Sequence, residues 1–213
     1  MSPAEMLDRL VAEDMRAALG SVVIGREIIV LDQTGSTNDA IVQVATPNSS
    51  EGLVLLAERQ TAGRGQRGNR WESAAAKGLW FSILLRPGIE LNRSPLLTAW
   101  AAETISETIE NEFPLETNIK LPNDVQIDGR KVAGVLVEMR AHEKARHSAV
   151  VGIGINVNQA LEDFPKELQS RAISLAIALR RQVDRQNFAI AILRDLDRSY
   201  RERFGCRSGL TGC

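Results

Sequence analysis

Cysteine is nearly absent: of 213 residues only Cys206 and Cys213 carry a thiol, and both lie in the final eight positions. Neither can staple a core or pair with a catalytic base, so a disulfide scaffold is excluded and a frayed tail is the expected setting. Histidine is equally scarce, and His142 and His147 fall in the charged stretch 140–147, which reads as a solvated hairpin loop without assigned chemistry. A formal net charge of −1 gives no general basic footprint for nucleic acid or an anionic membrane, so any cationic chemistry must be local. No run approaches the roughly 18 apolar residues of a membrane span. The first 20 residues, with Glu5, Asp8, Glu13 and Asp14, lack the basic-then-apolar form of a signal peptide. The expectation is a cytoplasmic protein with neither a nucleic-acid nor a membrane partner.

What is present is concentrated. Hydrophobic content of 44% is ordinary for a chain with a real core, and one domain over residues 1–205 followed by a tail, 206–213, is expected. Local cationic chemistry sits in residues 57–71, Ala-Glu-Arg-Gln-Thr-Ala-Gly-Arg-Gly-Gln-Arg-Gly-Asn-Arg-Trp. Gly63, Gly65 and Gly68 allow positive φ and close approach to a ligand, while Arg64, Arg67 and Arg70 offer donors that match carboxylate or phosphate oxygens. The same glycines satisfy G-x-G-x-x-G, but that dinucleotide fingerprint requires an apolar helix after the loop. Here a strand, Leu53–Glu58, leads in and another, Leu79–Leu85, leads out, so the loop joins strand to strand.

Periodicity places a helix over 3–18, a strand over Glu27–Leu31, a turn at 33–35 and a helix from Ser36-Thr37. Proline in its first turn and apolar Leu96, Ala99, Trp100 and Ile105 mark a helix over Pro95–Glu112. Asp128-Gly129 separates Val125–Ile127 from Lys131–Met139 as a two-residue hairpin. Ser148–Val157 is a strand whose Gly152 and Gly154 leave one face bare. Helices over 166–180 and 185–204 close the chain. This mixed order implies an α+β fold, a mainly antiparallel mixed sheet flanked by helices, rather than a doubly wound parallel sheet.

Three further clusters accompany the loop: Ser36-Thr37-Asn38-Asp39, residues 120–125 (Lys-Leu-Pro-Asn-Asp-Val) and residues 129–138, which hold Lys131, Gly134 and Glu138. A two-residue hairpin sets Lys131 opposite Gln126 and diagonal to Asp124 on one face. Such a lysine could neutralise a phosphate, and Asn123 or Asp124 could hold Mg²⁺. Taken singly, each has an ordinary reading: Lys131 as a solvated charge, Asn123-Asp124 as a turn, Gln60 as a strand end, Ser36 and Thr37 as helix caps, Trp71 as packing.

In order, strand-G-R-G-x-R-G-x-x-W, K-x-P-N-D-V, G-R-K-x-A-G-x-L-V-E and V-G-I-G-I-N-V-N resemble the catalytic domain of biotin protein ligases (biotin–[acetyl-CoA-carboxylase] ligases) over about residues 28–158. The resemblance implies a class II synthetase-like fold of the monofunctional type, biotin and ATP with Mg²⁺, and a biotin carboxyl carrier domain as partner, with a homodimer possible. It implies two steps, formation of biotinyl-5′-AMP and transfer to the carrier lysine. Lys131 and Arg64 would be catalytic. Ser36, Thr37, Asn38, Gln60, Arg64, Gly65, Gln66, Lys131, Gly134, Gly152 and Gly154 would bind biotin. Arg67, Trp71, Asn123, Lys131 and Asn156 would serve the nucleotide, and Asp124 the metal. Departures are Gln66 and Asn69 where arginine is usual, which predicts a leakier adenylate, and Leu121 where tryptophan is usual, which predicts altered packing beneath the site. The N-terminal helix-turn-helix and small C-terminal β-barrel of other members are expected to be absent. Two other readings stay open: a lipoate or octanoate ligase, and a biotin-binding module that no longer transfers.

Overall fold

Alternating and continuous apolar runs fold into one mixed sheet. The computed structural model describes residues 8–45, 51–141 and 147–205. In chain order the elements are α1 (Ala12–Leu19), β1 (Ile28–Leu31), α2 (Thr37–Val44), β2 (Val54–Ala57), β3 (Gly78–Leu85), α3 (Ser94–Glu112), β4 (Asn118–Lys120), β5 (Asp124–Ile127), β6 (Arg130–Arg140), β7 (Ser148–Asn156), α4 (Leu175–Leu179) and α5 (Arg185–Phe204). Seven strands run in the order β1-β2-β3-β7-β6-β5-β4. Only β1 and β2 are parallel; every other neighbouring pair is antiparallel. The expected α+β class is therefore the observed one.

The two faces of the sheet carry different cores. Odd positions of β7 (Val151, Ile153, Ile155) join Phe81, Ile83, Trp100, Ile105 and Leu193 in the larger cluster beneath α3 and α5. On the opposite face Ala40 and Ile41 of α2 pack on Leu53, Leu55, Leu84 and Val150. Each such aliphatic side chain contributes on the order of 1.5–3 kcal/mol by leaving water. Continuing along that second face past Val150, β7 presents Gly152 and then Gly154, and the packed layer gives way to a cleft.

Several sequence expectations are corrected. The apolar stripe of α3 runs through Leu97, Trp100, Ala101, Ile105 and Ile109, while Leu96 is exposed. The helix expected over 166–180 shrinks to Leu175–Leu179, because Lys131 N donates to Arg171 O (2.7 Å) and Ile173 N donates to Lys131 O (2.9 Å), holding that backbone extended. Ser174 then caps the short helix by accepting from Ile177 N at 3.1 Å. Strand β4 escaped notice because it has three residues with no buried one. Of the three loop glycines only Gly68 adopts positive φ (76°), and Arg67 beside it does so too (58°). Among the described residues the first helix starts at Ala12; residues 1–7, with Met6 and Leu7 of the expected apolar face, His142 and both cysteines lie outside the described residues. His147 is half-buried.

Candidate active site

The site starts at the turn of the β5–β6 hairpin. Asp128 (φ 50°) and Gly129 (φ 72°) both occupy the left-handed region, the geometry that lets two residues reverse a twisted hairpin. Gln126 consequently faces Lys131, and a bulge between Val125 and Gln126 brings Asp124 opposite Gly134. Lys131 Nζ and Asp124 Oδ1 stand 2.7 Å apart, so the sequence-predicted proximity becomes an ion pair. The ammonium also lies 4.9 Å from the centroid of the Trp71 ring, within cation–π range.

Next comes the floor. Trp80 and Gly134 flank Gly154 in register, and Ser82 and Leu136 flank Gly152. A Cβ at Gly134 would stand 2.8 Å from the Trp71 ring and 2.8 Å from Lys131 Cε, and one at Gly154 would stand 2.5 Å from the indole. Glycine is required here because the indole lies directly on the backbone. Trp71 Nε1 is buried with no hydrogen-bond partner, leaving a donor that an entering ligand's acceptor could satisfy.

The polar wall belongs to the N-terminus of α2. Parallel pairing of β1 and β2 continues through a bridge from Thr34 to Gln60, which sets Gln60 beside that helix end. Gln60 Oε1 accepts from Thr37 N (2.8 Å) and Thr37 Oγ1 (3.2 Å). Ser36 occupies the N-cap position but makes no side-chain cap hydrogen bond, so its hydroxyl is not committed to the helix. Ser82 Oγ lies 2.6 Å from Asn38 Oδ1 and 2.8 Å from Thr37 Oγ1, while Asn38 Nδ2 donates to Glu138 Oε2 at 2.9 Å.

Over the cleft folds the glycine-arginine loop, itself a small hairpin: Arg64 bridges Arg70, and Trp71 N donates to Gly63 O at 2.9 Å. Arg64 Nη2 donates to Asp39 Oδ1 at 2.9 Å and to Glu138 Oε1 at 3.2 Å, and its Nη1 pairs with Asp39 Oδ2. The Arg64 guanidinium beside Asp39 holds that carboxyl below the usual range, and the same hydrogen bond raises the pKa of Arg64. Because the folded value for Asp39 is depressed, its contribution is present above the unfolded pKa and is lost only as pH falls through the folded one.

These parts surround a narrow cleft, open to solvent, lined by Ser36, Thr37, Asn38, Gln60, Arg64, Gly65, Trp71, Asn123, Lys131, Gly134, Gly152 and Gly154 together with Val135, Leu136 and Ile153. Four sequence-predicted residues lie off its lining. Gln66 and Arg67 sit in the 3-10 turn at the loop tip. Asp124 supports Lys131 from beside the cleft. Asn156 is buried behind Lys131, donating to Ile173 O (3.2 Å) and Lys131 O (3.4 Å). Asn123 Nδ2 donates to Val135 O at 3.1 Å, which anchors the turn to β6. Leu121 is 80% exposed, so it does not pack beneath the site as its place in the motif suggested; it rides the outside of the β4–β5 turn. Asp39 and Glu138 stand in the motifs with no role that spacing assigns, and Ser82 lies outside the motifs, its only sequence signal being alternation along β3.

Among the described residues no group of three or more His, Cys, Asp or Glu could cage a metal ion, and no helix is long and apolar enough to cross a membrane. Asp124 is one carboxylate already sharing an oxygen with an ammonium. That donor set suits Mg²⁺ that arrives coordinated by phosphates, since magnesium is commonly held by one or two carboxylates plus substrate oxygens.

A glycine floor covered by the Trp71 ring, a buried polar wall, an ion-paired lysine and an arginine loop meet at this one cleft. The chain belongs to the biotin/lipoate A/B protein ligase family, whose model matches residues 30–156. It is 39% identical over 194 residues to the bifunctional ligase/repressor BirA of Bacillus spizizenii, covering 91% of this chain and 60% of that one. To the biotin–[acetyl-CoA-carboxylase] ligase of Mycobacterium tuberculosis it is 35% identical over 182 residues, 81% of this chain and 63% of the relative. A solved structure of the Aquifex aeolicus biotin protein ligase in complex with biotin and ATP superposes with a TM-score of 0.70 at 32% identity, covering 84% of this chain and 73% of that one. The chain thus spans about 60% of the length of the Bacillus relative.

Proposed function

We propose that this domain is an ATP-dependent biotin protein ligase. Biotin's carboxylate oxygen attacks the α-phosphorus of ATP and the bond to the β-phosphate breaks, giving biotinyl-5′-AMP and pyrophosphate. The ε-amine of a lysine on a biotin carboxyl carrier domain then attacks the acyl carbon, the acyl–phosphate bond breaks, AMP leaves and the amine gives its surplus proton to solvent. Neither step needs a nucleophile from the enzyme, which agrees with a cleft whose lining holds no cysteine or histidine. The enzyme's task is positioning and charge neutralisation.

The observation that carries this reading is Lys131 Nζ at the edge of the glycine floor, 2.7 Å from Asp124 and beneath the arginine loop. Its charge would meet a carboxylate or phosphate oxygen. Ser36, Thr37, Asn38 and Gln60 would take biotin's polar head, and its ring and chain would lie along Gly134, Gly152 and Gly154 once the Trp71 ring and the Asn38 amide that cover those glycines move aside. Arg64, Gly65 and Gln66 would cover the acyl phosphate. Trp71, Asn123, Arg67 and Asn156 would serve the nucleotide, and Asp124 would hold phosphate-bound Mg²⁺. Residues 1–205 would form the catalytic unit.

Intact-mass analysis of a biotin carrier domain incubated with the protein, biotin, ATP and Mg²⁺ tests the reading, with lipoate in a parallel reaction. The expected result is one biotinyl group, lost by a factor of about 10² or more in Lys131→Ala. Lipoyl transfer alone would assign the lipoate branch of the family. Biotin binding without transfer would sink the ligase reading.

A further inference from the structure

Arg64 stands between Gly63 and Gly65 of the loop, yet its guanidinium is already engaged by two carboxylates from different elements: Asp39 on the first turn of α2 and Glu138 on β6. The two hydrogen bonds to Asp39 run from both Nη atoms to both carboxylate oxygens, the fork-to-fork arrangement that adds direction to charge. Glu138 is in turn oriented by Asn38 at 2.9 Å. Loop and body are therefore joined at two points. Arg64 is fastened to α2 and β6, and Trp71 rests on Gly134 and Gly154. The loop hairpin makes these points one unit, because Gly63 and Trp71 are hydrogen-bonded across it and Arg64 bridges Arg70.

We infer that Asp39 is a positioning residue for the proposed ligase, the body-side half of a latch that holds the glycine-arginine loop closed over the cleft through Arg64. The inference rests on the ligase reading for its consequence, retention of the acyl adenylate, though not for the latch itself. Arg64, Asp39 and Glu138 sum to one negative charge, whereas Lys131 and Asp124 sum to zero, so of the two cations lining the cleft Lys131 has the less negative surroundings in which to meet the ligand's anion. Arg64 then acts chiefly by fastening the loop and Asp39 by fixing Arg64. Loop opening breaks the Arg64–Asp39 pair and lifts Trp71 from the glycine floor in the same motion.

Two readouts test this. In the ligand-free protein, trypsin cleavage after Arg67 and Arg70, followed by mass spectrometry, reports loop opening. Asp39→Asn should raise its rate about fivefold, the scale of a partly exposed but bidentate pair, and Asp39→Glu should recover most of the protection. In an Arg64→Ala background, Asp39→Asn should add nothing. With biotin and ATP, release of biotinyl-5′-AMP should quicken by a similar factor in Asp39→Asn while Lys131 still supports its formation. Unchanged cleavage in Asp39→Asn, or an effect that persists without Arg64, overturns the latch. If the wild type forms no adenylate, the ligase reading fails, and the proteolysis arm still decides the latch.

Discussion

Lys131 owes its place to three neighbours: Asp124 sets the height of its ammonium, the Trp71 face covers it, and the absent side chain of Gly134 lets both approach. Deleting the amine removes the cation and leaves Asp124 facing the cleft, which is why Lys131→Ala is expected to cost far more than a surface charge would. Gln66 is a different case at the same scale. It sits in the loop-tip turn off the cleft lining, and a guanidinium there would reach further over an anion than the amide does. Gln66→Arg is therefore expected to slow release of biotinyl-5′-AMP about threefold to tenfold, read by following loss of the labelled adenylate from the protein. Equal release from the two proteins would show that the loop tip does not touch the intermediate.

At the level of elements, the β5–β6 hairpin sets the geometry of the site. The Asp128-Gly129 turn fixes which residue faces Gln126, and the bulge near Val125 shifts the remaining pairs so that Asp124 and Gly134 meet. A register slip of one residue would turn Lys131 to the other face of the sheet. Gly129 has open space around it, so a side chain there suffers from φ alone. Gly129→Val is expected to destabilise the fold by about 1–2 kcal/mol and to lower kcat/KM for carrier biotinylation, measured by urea midpoint and by initial rate. Wild-type values of both would show that the turn does not set the register.

For the whole molecule, one buried cation ties together segments far apart in sequence. Arg185, fully buried at the start of α5, donates to Glu58 Oε2 (2.8 Å), Asp8 Oδ2 (3.0 Å) and Gly78 O (3.1 Å). It thereby joins the N-terminal segment, the end of β2 and the start of β3 beneath the cleft. Arg185→Leu would leave the nearly buried Glu58, and Asp8 at one-third exposure, without their cation, at a cost of about 3 kcal/mol that comes chiefly from Glu58. For a chain of this size that is a fall in Tm of about 10 °C by thermal unfolding; a change under about 2 °C would mean the network is dispensable.

By itself the sequence determined what is local. The strand-to-strand nature of the glycine-arginine loop, the two-residue turn, the resulting Lys131–Asp124 proximity and the close approach that Gly152 and Gly154 of β7 permit all follow from spacing, because alternation along a strand and the chemistry of a turn are set within a few residues; that Asn38 and Trp71 make this approach does not. The order of four motifs sufficed for the family. Tertiary structure decided whatever depends on partners distant in sequence. Only the pairing of β6 with residues 171–173 could show that most of the expected helix over 166–180 is extended or turn. Only the crossing of α2, β6 and the loop could reveal that Arg64 is held by Asp39 and Glu138, or that Asn156 stands behind Lys131 rather than on the cleft. Leu121 lies outside, exposed on the turn that joins the ends of β4 and β5. Position in a motif specifies a residue's neighbours along the chain, while burial and ion pairing are set by elements that meet only after the sheet has closed.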